Sequence, residues 1–127
     1  MTQIDQLRKL KTLRERGIRN EIAEIAAAEA ALRVKREEVV TSRAQLHDEW
    51  RTAIAESGEF DSRGFGRHVE KLTGFCRNQA AIVQEIEKLR QEAEWLVARR
   101  EDVSAALRDN LRGQEKFGYL AEQITNR

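Results

Sequence analysis

Between Leu72 and Ile124 the apolar residues recur in alternating steps of three and four: Leu72, Phe75, Gln79, Ile82, Ile86, Leu89, Ala93, Leu96, Arg100, Val103, Leu107, Asn110, Gln114, Phe117, Ala121, Ile124. Twelve of these sixteen positions are apolar. The intervening residues are mostly Glu, Arg, Lys, Gln, Asp and Ala. This is a heptad seam with Leu72 as a and Phe75 as d, and it predicts a long coiled-coil helix. A weaker seam precedes it. Seven-residue steps from Ile4 reach Lys11, Ile18, Ile25, Leu32, Val39, Leu46 and Ala53, all apolar except Lys11. The matching d positions are Leu7, Arg14, Glu21, Ala28, Lys35, Ser42 and Glu49, and they are largely polar.

The two seams are separated by Ser57-Gly58-Glu59-Phe60-Asp61-Ser62-Arg63-Gly64-Phe65-Gly66, where closely spaced glycines signal a turn. Asp61 suits an N-cap, with Phe60 and Phe65 at staple spacing around it. The expected organisation is a single domain over residues 1–127. Its first arm spans about 2–57, its turn about 58–63 and its second arm about 64–125.

Folding the arms back on each other gives a consistent set of layers: Ile4/Phe117, Lys11/Asn110, Ile18/Val103, Ile25/Leu96, Leu32/Leu89, Val39/Ile82 and Leu46/Phe75. Only Lys11/Asn110 is polar, and it is polar on both sides. Alternate layers set Glu21 against Arg100, Ala28 against Ala93 and Ser42 against Gln79. The expected fold is therefore all-α: two long helices forming an antiparallel coiled-coil hairpin, a thin rod bent back once. Polar layers cost stability and fix register.

Composition narrows the picture. Charged residues make up 35% of the 127, aromatics 6%, and proline is absent. Such a chain buries a narrow seam and not a thick core. A formal net charge of +1 gives no global attraction to nucleic acid or to an anionic bilayer. No apolar run is long enough to span a membrane, so no direct membrane insertion is expected. The single Cys76 fits a reducing, cytoplasmic setting.

Candidate chemistry is sparse. His47, His68 and Cys76 lack the spacing of a metal site, and there is no Gly-rich phosphate loop. A two-helix rod also lacks a concavity for catalysis. The expectation is a protein that is not an enzyme, with no catalytic residues, no metal and no cofactor. Charge is distributed unevenly. Arg8, Lys9, Lys11, Arg14, Arg16 and Arg19 crowd the first arm's start, while the following stretch is acidic. This basic end is either a solvated face or a dock for an acidic partner. No aromatic interleaves with these bases, which weakens the case for single-stranded nucleic acid, and no DNA is expected as a partner. Ile22, Trp50, Cys76, Val83, Val97 and Leu111 occupy e positions and predict a one-sided apolar flank stripe. Trp95 at c and Tyr119 at f point outward. Trp50 and Trp95 are expected as exposed apolar residues.

The opening Leu7-Arg8-Lys9-Leu10-Lys11-Thr12-Leu13-Arg14, the Ala-rich centre of the first arm and the closing Arg112-Gly113-Gln114-Glu115-Lys116-Phe117 resemble the YscO/HrpO/FliJ family of stalk proteins from type III secretion and flagellar export. The resemblance is one of pattern and covers nearly the whole chain. It implies a non-catalytic stalk or adaptor, peripherally associated with a membrane-embedded secretion machine. The terminal end would enter a hexameric export ATPase, placing Arg8, Lys9, Lys11, Arg14, Arg16, Arg19 and Tyr119 at that contact. The other end would reach a membrane export gate through the row Phe65, Val69, Leu72 and Cys76. Secretion chaperones are a further implied partner. The competing readings are a generic coiled-coil scaffold, a chaperone-like arm and an RNA-binding helical arm.

Overall fold

The computed structural model describes residues 2–56 and 62–126. The fold is all-α. Helix α1 runs Gln3–Ala55 and helix α2 runs Ser62–Thr125, and together they make a helical hairpin. The centre of the expected turn, with the Asp61 cap and the Phe60 half of the staple, lies outside the described residues. Helix α2 begins at Ser62 and passes through Gly64 and Gly66 without a break.

The start of α1 has a local cause. The Asp5 backbone N–H donates to Thr2 Oγ1 at 3.2 Å, while the Thr2 hydroxyl donates to Asp5 Oδ2 at 2.9 Å. The Thr2 backbone N–H also donates to Asp5 Oδ2, at 3.4 Å, which completes a capping box with Asp in place of Glu. It also holds the Asp5 carboxyl below its ordinary pKa, chiefly through the Thr2 hydroxyl. Nothing interrupts either helix afterwards, because the chain has no proline and its helical glycines have ordinary backbone angles.

The chain divides into two compact units, and each helix contributes to both. Unit 1 joins Met1–Ala30 with Glu94–Arg127, and unit 2 is Ala31–Ala93. Within unit 1 the core is Ile25, Leu96 and Val103, extended by half-buried Ile18, Ile22, Leu107 and Phe117. Within unit 2 it is Leu32, Leu46, Ala53 and Leu89, extended by Val39, Leu72, Phe75, Ile82 and Ile86. Every member of the seven expected layers, from Ile4/Phe117 to Leu46/Phe75, is buried or half-buried.

The second row of α1 is a correction. Of its expected d positions only Glu21 is half-buried; Leu7, Arg14, Ala28, Lys35, Ser42 and Glu49 are exposed. The inward row lies four residues after the a positions Lys11, Ile18, Ile25 and Leu46, at Glu15, Ile22, Glu29 and Trp50, whereas Arg8, Arg36 and Arg43 at the same spacing are exposed. A helix rotates to bury its larger apolar residues, and Ile22 and Trp50 outweigh Ala28 and Ser42. The expected one-sided stripe therefore splits. Its α1 members Ile22 and Trp50 turn inward, whereas Cys76, Val83, Val97 and Leu111 on α2 are exposed.

The polar layers are also rearranged. Glu21 pairs with Arg99 and not Arg100. Arg100 instead donates from Nη1 to Glu29 Oε2 at 2.9 Å. Asn110 is buried at 3% exposure, and its Nδ2 has no hydrogen-bond partner among the described residues. Gln114 Nε2 donates to Asn110 Oδ1 at 2.7 Å and to Glu15 Oε1 at 2.8 Å, linking the helices. Lys11 lays its chain end beside Gly113, where an added Cβ would stand 3.1 Å from Lys11 Cε. Glycine at that point makes room for the lysine stem.

Leu89→Ala should lower unfolding free energy by about 2–5 kcal/mol, as for other buried leucines. Trp95→Ala should change it far less, since Trp95 is 66% exposed; thermal and urea melts measure both. A Trp95→Ala loss as large as that of Leu89→Ala would contradict the seam. Gly17 sits mid-helix with nothing within 4 Å of an added Cβ. Gly17→Ala should accordingly stabilise by about 1 kcal/mol through helix propensity, read as a higher denaturation midpoint with an unchanged slope.

Candidate partner-binding surfaces

The basic face of unit 1 is built by helical spacing alone. Arg8, Lys9, Arg14, Arg16 and Arg19 are exposed, and Lys11 is half-buried over Gly113. Arg19 is engaged locally, donating from Nε to Glu15 Oε2 at 2.8 Å. Lys9, Arg14 and Arg16 form no ion pair among the described residues, so their charges face solvent. Arg8, Lys9 and Arg16 border a shallow groove with Asp5, Thr12 and Leu13.

Leu7, expected at a d position, and Leu10 and Leu13, which the heptad reading leaves aside, change the character of this face. Leu10 is 61% exposed and Leu13 60%, and Leu7 is also exposed. They lie at i, i+3 and i+6, between the arginines and lysines, so the start of α1 is a basic helix with an apolar ridge. The sequence signal was present in the Leu-x-x-Leu-x-x-Leu run. It is visible only once Ile4, Lys11 and Ile18 are assigned to the seam. On α2 Tyr119 is 62% exposed, and its hydroxyl accepts from Gln123 Nε2 at 2.9 Å. Ile124, expected in the seam, is exposed as well.

Glu15 is the hinge between this face and the seam. One carboxylate oxygen takes the Arg19 guanidinium and the other takes the Gln114 amide. These contacts, Arg19 first, hold its pKa below the ordinary carboxylate value.

In unit 2 the early residues of α2 form a second exposed row. Phe65 is 60% exposed, and Val69 and Cys76 are also exposed, whereas Leu72 is half-buried in the seam. The row is thus three exposed residues interrupted by a packing residue. Trp50 departs from its expected exposure. It is half-buried, with its ring edge-on to Phe75 at 5.9 Å between centroids and 84° between planes. An aromatic pair of that geometry contributes beyond its buried area, which explains why Trp50 turns inward. Trp95 remains outward.

Among the described residues no cluster of His, Cys, Asp and Glu could hold a metal ion, and neither helix is long and apolar enough to cross a membrane. What the exposed residues offer is surface: bases beside leucines in unit 1, and aromatic and aliphatic side chains in unit 2. No protein-family model, curated protein or solved structure matches this chain.

The depressed Glu15 pKa gives a signed expectation. Its stabilising contribution is present above the unfolded carboxylate pKa and is lost as pH falls through the lower folded value. Glu15→Gln should melt below the parent at neutral pH, and the gap should close as pH drops through and beneath the ordinary carboxylate range. Circular dichroism melts across that range measure it. A gap that persists in acid would assign the effect to packing instead of charge.

Proposed function

We propose that this chain is a non-catalytic stalk or adaptor of a type III secretion export apparatus. In this reading unit 1 engages a hexameric export ATPase and unit 2 engages the membrane export gate. Export chaperones are further clients of its exposed apolar residues. The observation that carries the reading is the basic, leucine-ridged start of α1, packed in one unit with Tyr119 and the end of α2. Exposed arginines and lysines attract an acidic ring lumen and set encounter and orientation. Leu10, Leu13 and Tyr119 supply apolar area that charge alone lacks, and tyrosine and arginine are frequent anchors at interfaces.

A helical hairpin of this kind adds no reacting group to the ATPase. It acts by binding some conformations of the ring better than others and so shifts their populations. The gate contact falls to Phe65, Val69 and Cys76, since Leu72 packs between the helices. Association is peripheral, through proteins of a membrane-embedded machine, and the working location is the cytoplasm.

The triple variant Arg8→Glu, Arg14→Glu, Arg16→Glu tests the ATPase contact. Its helix content should match the parent, because all three side chains are exposed. Co-purification with the export ATPase, and any stimulation of ATP hydrolysis, should be lost. Unchanged binding by this variant would remove the basic face from the mechanism. Retention of the parent chain on RNA, with binding that falls steeply with salt, would favour an RNA-binding arm instead.

A further inference from the structure

We propose that the groove between the two helices of unit 2 is a docking site for an acidic amphipathic helix from a partner protein. The inference goes beyond the export reading and does not rest on it. The groove has a volume of about 740 Å³ and lies over Leu46 and the Trp50–Phe75 pair. One wall is Val40 and Ala44 of α1, and the other is Cys76 and Ala80 of α2. Arg43 and the imidazole of His47 line it, and among the described residues no carboxylate does so.

Three features select the occupant. The first is spacing. Val40, Ala44 and His47 advance by four and three along α1, and Cys76, Ala80 and Val83 do the same along α2. Two such ridges leave a channel that a third helix fills with apolar residues at i, i+3 or i+4, and i+7. The second is size. Ala44 and Ala80 are small residues on opposite walls, so a helix backbone can approach closely. The third is charge. Arg36 and Arg51 fall on the same face of α1 as Arg43, one seven residues before it and the other eight after, and both are exposed. Glu37, exposed and three residues before Val40, is the carboxylate among them, so the α1 rim keeps a net positive charge that Asp or Glu beside the partner's apolar stripe would meet.

Cys76 makes the groove measurable, because it is the only cysteine in the chain, is exposed, and lines a wall. The probe is a synthetic helical peptide with leucines at i, i+3, i+7 and i+10 flanked by glutamates. Its control carries lysines in their place. With the full chain, the glutamate peptide at about ten times its Kd should slow modification of Cys76 by an aromatic disulfide about tenfold. In the Trp95→Phe background it should also shift Trp50 emission to shorter wavelength. The lysine peptide should do neither. Arg43→Glu with His47→Glu should abolish protection by the glutamate peptide and confer it on the lysine peptide, at unchanged helix content. Ala80→Gln, at an exposed position, should block the groove without reversing the charge preference. The proposal is overturned if the glutamate peptide gives no protection, or if both peptides protect equally. It is also overturned if sedimentation shows self-association that Ala80→Gln abolishes, which would make a second copy the occupant.

Discussion

Burial of one apolar row on each helix is the constraint on which everything else depends. Helices of 53 and 64 residues expose most of their surface, and 35% of the chain is charged. Isolated helices gain little from propensity alone, so their order comes from the face they bury. Here that face is Ile25, Leu32, Leu46 and Ala53 on α1, with Leu89, Leu96 and Val103 on α2. These residues are shared between two units, each with its own small core. No described side chain is buried beyond the seam, so a cavity in this row has no second layer to relax into.

The seam is not uniformly apolar, and its polar members are specific. Asn110 sits in the buried row with one amide donor unpartnered, a burden of about 1–3 kcal/mol for a buried unsatisfied group. The cost has a counterpart. Asn110 Oδ1, Gln114 and Glu15 form a chain across the helices that only one register satisfies. A slip would leave Glu15 and Gln114 without each other and would move Lys11 off Gly113. Buried polar residues in coiled coils fix register at a cost in stability, and this group has the composition for that role. The surrounding ion pairs, Glu21 with Arg99 and Glu29 with Arg100, join half-buried carboxylates to exposed guanidinium groups at the seam edge.

With so little interior, the properties available for function lie on the outside. The two units differ there. Unit 1 displays positive charge and leucines along the start of α1. Unit 2 displays Phe65 and Val69 on α2 and, between its helices, an apolar groove with a basic rim. Both expose apolar side chains, with Arg8, Lys9 and Arg16 beside the first and Arg43 beside the second.

The sequence by itself determined the all-α hairpin, the row from Ile4 to Ala53 and the row from Leu72 to Phe117 apart from Gln79 and Arg100, which are exposed. A single heptad period specifies which residues of a helix face inward as a set, and the fourteen layer residues all do. It also placed Trp95, Tyr119, Arg8, Lys9, Arg14, Arg16 and Arg19 outside, because a narrow seam has no room for them, and it put Lys11 in a seam layer. It did not determine the flank. Residues three and four positions after a heptad a lie on opposite sides of the seam. Which side closes depends on rotation of α1 about its own axis. The tertiary structure decided that rotation by packing Ile22 inward and Trp50 against Phe75. The same rotation moved Glu15 and Glu29 to the seam edge, exchanged the expected partner of Glu21, and left Leu7, Leu10 and Leu13 in solvent. The groove followed from it too, since its floor is an aromatic pair between residues of different helices. A period read along one chain carries no information about the phase of its partner; only the side chains meeting across the interface set it.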